Sequence, residues 1–217
     1  MSSFIAALTF LLAAIAFLYG LNSWRREFLG KRRLEALEKV LAMFYEARDA
    51  IRYIRSPLSW GNEGGSRPRQ DGENQAEGGQ RDRAFVPHER YQKHEKLFSE
   101  LASQKYSIMA LFGEKYSEPF EGIRIEINNI LGAAHSLGTY YWLPIEEGLT
   151  KEQVVQHREM RRDYEKTIWF GIDGDLLAAR VNSHISVIEE LSRKQSIAIE
   201  TSKLDELLES IIKKIKK

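Results

Sequence analysis

Cysteine is absent from all 217 residues. That absence excludes disulfides, thiolate nucleophiles and cysteine zinc sites together. Proline is scarce, at five residues. Leu, Ile, Ala, Glu, Lys and Arg are plentiful, so the composition favours an all-α chain. An excess of one charge is missing too, since 32 Lys and Arg stand against 31 Asp and Glu. A nucleic-acid binder usually carries a basic face and a high isoelectric point, so no nucleic-acid partner is expected.

Catalytic signatures are missing as well. None of His88, His94, His135, His157 and His184 has an acidic residue three positions before it, as the Glu-x-x-His pairs of di-iron bundles require. There is no H-E-x-x-H and no G-x-S-x-G. The glycine-rich GNEGGS lacks the Gly-Lys-Ser/Thr of a phosphate loop. Asp173-Gly174-Asp175 lacks the remaining ligands of a calcium loop, and Asp175 reads instead as a helix N-cap. His184 falls on an apolar stripe and reads as a core histidine. No catalytic residue, metal ligand or cofactor is therefore expected, and the chain does not read as an enzyme.

What is present is a long apolar run. Phe4 to Leu21 contains eighteen residues without a charge. As a helix it would extend roughly 27 Å, enough to cross a hydrocarbon core. Trp24 follows at the depth where interfacial aromatics settle, and then a basic collar of Arg25, Arg26, Lys31, Arg32 and Arg33 suited to lipid headgroups. No Lys or Arg precedes the run, so the positive-inside rule sets the N-terminus outside and the rest in the cytoplasm. A cleaved signal peptide would need the basic residues first and small residues after. A buried core helix rarely stays apolar all the way round for this length. Residues 1–24 are accordingly read as a transmembrane anchor.

Beyond the collar, Leu34, Leu37, Leu41, Phe44, Ala47, Ile51, Ile54 and Leu58 recur in steps of three and four, the seam of an amphipathic helix over 25–58 that Pro57 closes. Gly30 marks a possible kink. Residues 59–86 turn glycine-rich and mixed in charge, and read as a disordered linker. Helical periodicity resumes over 87–200, with Leu97, Phe98, Leu101, Ile108 and Phe112 before a capping Gly113. The next seam has the most regular rhythm: Phe120, Ile123, Ile127, Ile130, Ala134, Leu137 and Tyr141. Thr150 and Gln153 suggest a capping box for a polar helix that Trp169-Phe170-Gly171 breaks. Leu177, Val181, His184, Ile188 and Leu191 form the last stripe, and 201–217 read as a basic amphipathic tail whose IIKKIKK also suits anionic headgroups. The expected fold is an all-α antiparallel bundle continuing from a transmembrane helix.

One constellation points to recognition. Arg48, Arg52 and Arg55 each follow a seam residue of the first helix by one position, and Arg124, Asn128 and His135 do so on the third. Two such rows could meet in a groove that binds an anionic ligand or a partner's carboxylates. Arginines beside a seam that merely pair with nearby acids are the alternative. The stretch FYEARDAIRYIRSPLS (Phe44 to Ser59) resembles a set of bacterial single-pass membrane proteins with a short cytoplasmic helical domain. That resemblance implies a bacterial inner-membrane setting and brings no activity. The function expected is a non-enzymatic adaptor at the cytoplasmic face, with the bilayer and a protein partner or second copy as its contacts. The alternative is a channel-like oligomer joined through Ala13, Ala16 and Gly20.

Overall fold

The computed structural model describes residues 2–69, 71–144, 149–172 and 174–215, with the side chains of 2–6, 8, 12, 16, 22, 23, 202, 203 and 205–215 excepted. Every regular element among them is helical. In chain order these are α1 (Ser2–Ile54), α2 (Gln75–Phe112), a 3-10 turn (Glu114–Ser117), α3 (Glu118–Ser136), a π turn (Leu137–Tyr141), α4 (Lys151–Ile168) and α5 (Leu176–Ile215). The chain divides into two units, one of residues 1–39 with 189–217 and one of residues 40–188.

In the first unit, α1 continues through Gly30 without a break. A side chain placed at Gly30 would already touch Ile199 of α5, at 3.4 Å. Gly30 is thus a point of close helix approach within one continuous α1. Among the described residues, no helix is long and apolar enough to cross a membrane. The expected anchor falls in part on Phe4, Ile5, Ala6, Leu8, Leu12 and Ala16, whose side chains lie outside the described residues. Phe10, Leu11, Ile15, Phe17, Leu18, Tyr19 and Leu21 are described, and their exposure runs from 42% to 79%. At 3.6 residues per turn these positions, with Thr9, Ala13 and Gly20, point to every side of α1. The tail read over 201–217 is helical to Ile215, and its side chains other than Thr201 and Leu204 lie outside the described residues.

The second unit is a helical bundle. From α1 it buries Phe44, Ala47, Ala50, Ile51 and Ile54; from α3, Phe120, Ile123, Ile127 and Ile130; from α5, Leu177, Val181, Ile185 and Ile188. Phe44 meets Phe120 edge-on at 5.0 Å, joining α1 to α3. The α3 seam is buried as its periodicity implies, except that Tyr141 is only partly covered. Leu58 lies beyond the end of α1 and is 81% exposed, so it leaves the seam it was assigned to. A second cluster of Ala84, Ala133, Ala134, Leu137, Trp142 and Ile168 ties α2, α3 and α4 together. Polar α4 contributes Ile168 to it and turns most other side chains to solvent. Capping follows the sequence closely. Thr150 and Gln153 form the capping box, Asp175 Oδ1 accepts the Ala178 N–H at 3.0 Å, and Gly113 ends α2 at φ +99°.

The segment over 59–86 departs from its reading as a disordered linker. Asn74 caps α2, accepting the Glu77 N–H at 2.9 Å, and the helix therefore begins twelve residues ahead of Pro87. Glu73, with its side chain 3% exposed, pairs with Arg67, Arg69 and Arg81. Asp82 takes Arg67 at 3.1 Å and Arg69 at 2.8 Å. Gly64 donates its N–H to Glu89 at 2.8 Å. Gly64 must be glycine, because its φ is +85° and a Cβ would fall 2.0 Å from the Asp82 carbonyl oxygen. The mixed charges that suggested a solvated chain are partners for one another, and charge-assisted hydrogen bonds replace the apolar contacts the segment lacks.

The π turn after α3 has a steric signature. Trp142 N–H bonds to Leu137 O at 2.9 Å, and a Cβ on Gly138 would lie 2.5 Å from the Ala84 Cβ. Ala84 has no rotamer with which to retreat. Replacing a helical glycine by alanine usually gains about 1 kcal/mol, but Gly138→Ala should instead lower stability by about 1–3 kcal/mol through overpacking. Urea denaturation checks this, and a gain in stability would contradict the close approach.

Candidate recognition groove

The two polar rows do not meet. Arg48, Arg52 and Arg55 lie beside α5, around a small recess that also includes Phe170 and Asn182. Arg124 and Asn128 instead edge a groove of about 220 Å3 between α2 and α3. Its floor is Tyr91, Phe98, Phe120, Ile123 and Ile127, and Glu95 and Ser99 stand opposite Arg124 and Asn128. His135 is exposed further along α3 and lines neither space.

Each residue of the first row has a different role. Arg48 reaches Asp49 at 3.4 Å and stands over the Tyr45 ring. Arg52 approaches the same Asp49 at 3.7 Å and lies 5.5 Å above the Phe170 ring. These two are partly solvated arginines with a shared acid. Arg55 is fully buried, at 0% exposure. Its Nε donates to Thr167 O at 2.8 Å, and its Nη2 donates to Lys166 O at 3.1 Å and Trp169 O at 2.8 Å. Its Nη1 donates to Asp175 Oδ2 at 3.0 Å. The Arg55 carbonyl in turn accepts the Phe170 N–H at 2.7 Å. One guanidinium therefore satisfies the last carbonyls of α4, where a cation is favoured by the helix dipole, and fastens the first residue before α5. Burial by itself would raise the Asp175 pKa, but the hydrogen bonds from Arg55 and from the Ala178 and Gly171 N–H groups hold it below the ordinary aspartate range.

Sequence reasoning missed a second residue of this kind. Arg90 of α2 is 1% exposed. It donates from Nη1 to Tyr53 O at 3.0 Å and Ser56 O at 2.8 Å, from Nη2 to Leu58 O at 2.6 Å, and from Nε to Glu63 at 3.1 Å. It thereby closes the C-terminal end of α1 as Arg55 closes α4. Arg90 holds the Glu63 carboxyl below the usual glutamate range, chiefly through its hydrogen bonds. Its position shared the stripe of Pro87, Phe98 and Leu101, and that apolar register was the available signal. Glu126 is a third buried charge, held by Arg180 at 2.6 and 2.8 Å across α3 and α5.

No group of His, Asp and Glu among the described residues could hold a metal ion. His184 sits over Gly122 of α3, where a Cβ would come within 2.2 Å of its ring. It is a packing histidine. Compared with protein families, curated proteins and solved structures, the chain matches none.

The recognition row therefore splits into surface and core. Arg48→Gln and Arg52→Gln should each change stability by less than about 1 kcal/mol, as exposed ion pairs do. Arg55→Gln should cost about 3–5 kcal/mol, because it strands Asp175 and the α4 carbonyls in a dry site. Denaturant titration of the three variants checks this, and equal small effects would contradict the capping role.

Proposed function

We propose that this chain is a membrane-tethered, non-enzymatic helical adaptor, with the α1 segment over 4–21 in the bilayer and the bundle at the cytoplasmic face. The observation that carries the reading is the exposure of apolar α1 side chains on every side of the helix. An amphipathic helix of a water-soluble protein covers its apolar stripe; one that is apolar all round and left uncovered is matched by lipid. The charges beside it support the same reading. Arg25, Arg26, Lys31 and Arg32 have no ion-pair partner among the described residues, although Glu27 and Glu35 are near in sequence. Unpaired cations next to an uncharged helix suit anionic headgroups, at about 1 kcal/mol each. The resemblance of Phe44 to Ser59 to bacterial single-pass membrane proteins agrees with this setting. The adaptor role rests on exposed bundle surface of two kinds, the α2–α3 groove and the Arg48–Arg52 edge.

A second reading, an oligomeric membrane effector, is favoured by one feature. Among the described residues nothing lies within 4 Å of a Cβ built on Gly20, so another helix could approach α1 closely there.

Topology tests the first reading. A reporter enzyme fused after Lys217 should be active in the cytoplasm, and intact spheroplasts should protect residues 40–217 from added protease. Digestion from outside would overturn the orientation. Recovery of the whole chain in the soluble fraction would overturn the tether.

A further inference from the structure

Basic residues follow the apolar run on several sides of α1, and among the described residues Arg25 and Arg26 share an open hollow. Tyr19, Arg25, Arg26 and Leu29 line a hollow of about 510 Å3 in the first unit. Their spacing explains why. Arg25 and Leu29 are four apart, Arg26 and Leu29 three apart, and Tyr19 and Arg26 seven apart, so all four lie along one strip of the helix surface. Tyr19 is about 9 Å deeper along the axis than Arg25, at 1.5 Å per residue. The strip thus runs from exposed apolar side chains, Ile15 and Leu18, through a phenol to two guanidinium groups. Trp24 and Phe28 stack on each other at 5.7 Å on a different side. Lys31, two residues beyond Leu29, points roughly opposite to it.

We propose that this recess binds one anionic phospholipid, with Arg25 and Arg26 on its phosphate oxygens and an acyl chain along Leu18 and Ile15. The inference rests on the membrane reading above and narrows it from a diffuse basic collar to a site. Two chemical facts select the ligand. Guanidinium groups match phosphate oxygens in paired hydrogen bonds, and among the described residues neither arginine has a carboxylate to compete for it. Two fixed positive charges are best neutralised by a head carrying two negative charges, so phosphatidic acid or cardiolipin is bound in preference to singly charged phosphatidylglycerol. Apolar side chains on the same strip favour a lipid over a free phosphate ion, which would leave them uncovered. Tyr19, at the level between charge and chain, has the amphipathic ring that settles at such boundaries.

The test uses the full-length protein in phosphatidylcholine nanodiscs doped with cardiolipin, phosphatidic acid or phosphatidylglycerol, with bound lipid counted by native mass spectrometry. Wild type should retain one dianionic lipid. The Arg25→Gln, Arg26→Gln double variant should bind it roughly tenfold less, as expected for two lost contacts near a charged surface. The Lys31→Gln, Arg32→Gln double variant removes the same charge and should lose less than about twofold, since it spares the recess. Equal losses in the two doubles would overturn the site in favour of a diffuse collar. Displacement of the lipid by millimolar inorganic phosphate would overturn the lipid assignment. Alkaline extraction of native membranes keeps the two levels apart. Wild type released by that treatment refutes the tether itself, whereas wild type retained with equal losses in the doubles refutes only the site.

Discussion

Helix ends that finish in the interior of a bundle leave carbonyl groups with no partner, and the second unit depends on how two of those ends are closed. Arg55 closes α4 and Arg90 closes α1, each with almost no contact with water. Neither guanidinium is an ordinary ion pair. Most of the hydrogen bonds of Arg55 go to main-chain carbonyls, as do those of Arg90, and one carboxylate in each case, Asp175 or Glu63, balances the charge. Buried charges of this sort add little net stability relative to well-packed apolar groups, but removing one partner is costly. Their consequence is geometric. A cap that needs four or five simultaneous hydrogen bonds is satisfied in one arrangement of chain, so the turn after α1 and the turn between α4 and α5 are fixed together with the helices they join.

Much of this was readable from the sequence, and the failures have a common cause. The α3 seam, the Thr150 capping box, the Asp175 N-cap and the Gly113 terminus all rest on residues within one or two helical turns of each other, and all are present. Arg55 was assigned to a row with Arg48 and Arg52 because local spacing cannot tell a side chain over solvent from one folded under the next turn. Its partners are more than a hundred residues away. The segment over 59–86 failed for the same reason. Composition registers that Arg67, Arg69, Glu73 and Asp82 are charged, but not that they pair. The proposed meeting of the Arg48 and Arg124 rows assumed that seams facing one core bring their flanks together, whereas the flanks open toward different neighbours, α5 for one and α2 for the other.

Seen across the chain, arginine is used in two ways. Within residues 40–188 the guanidinium groups that are buried or half-buried meet carboxylates or carbonyls, and even Arg124 on the groove edge donates to Glu121 at 2.8 Å. In the collar after the apolar run, Arg25, Arg26, Lys31 and Arg32 meet no carboxylate among the described residues. The first pattern specifies a fold; the second asks for something negative outside the chain. Together with the uncovered apolar side chains of α1, it is the basis for the proposal that the chain is held at a membrane.

Because the chain contains no cysteine, single cysteines can be placed one at a time from Thr9 to Arg33 and spin-labelled without background. Electron paramagnetic resonance in liposomes then reads the access of each label to oxygen, which concentrates in lipid, and to a water-soluble nickel complex. The membrane account requires labels from Thr9 to Leu21 to be oxygen-accessible and nickel-protected on every side of the helix, with the balance reversing between Trp24 and Lys31. Nickel access that instead rises and falls with the 3.6-residue helical period through Thr9 to Leu21 would show one face in water, and would contradict a membrane-spanning α1.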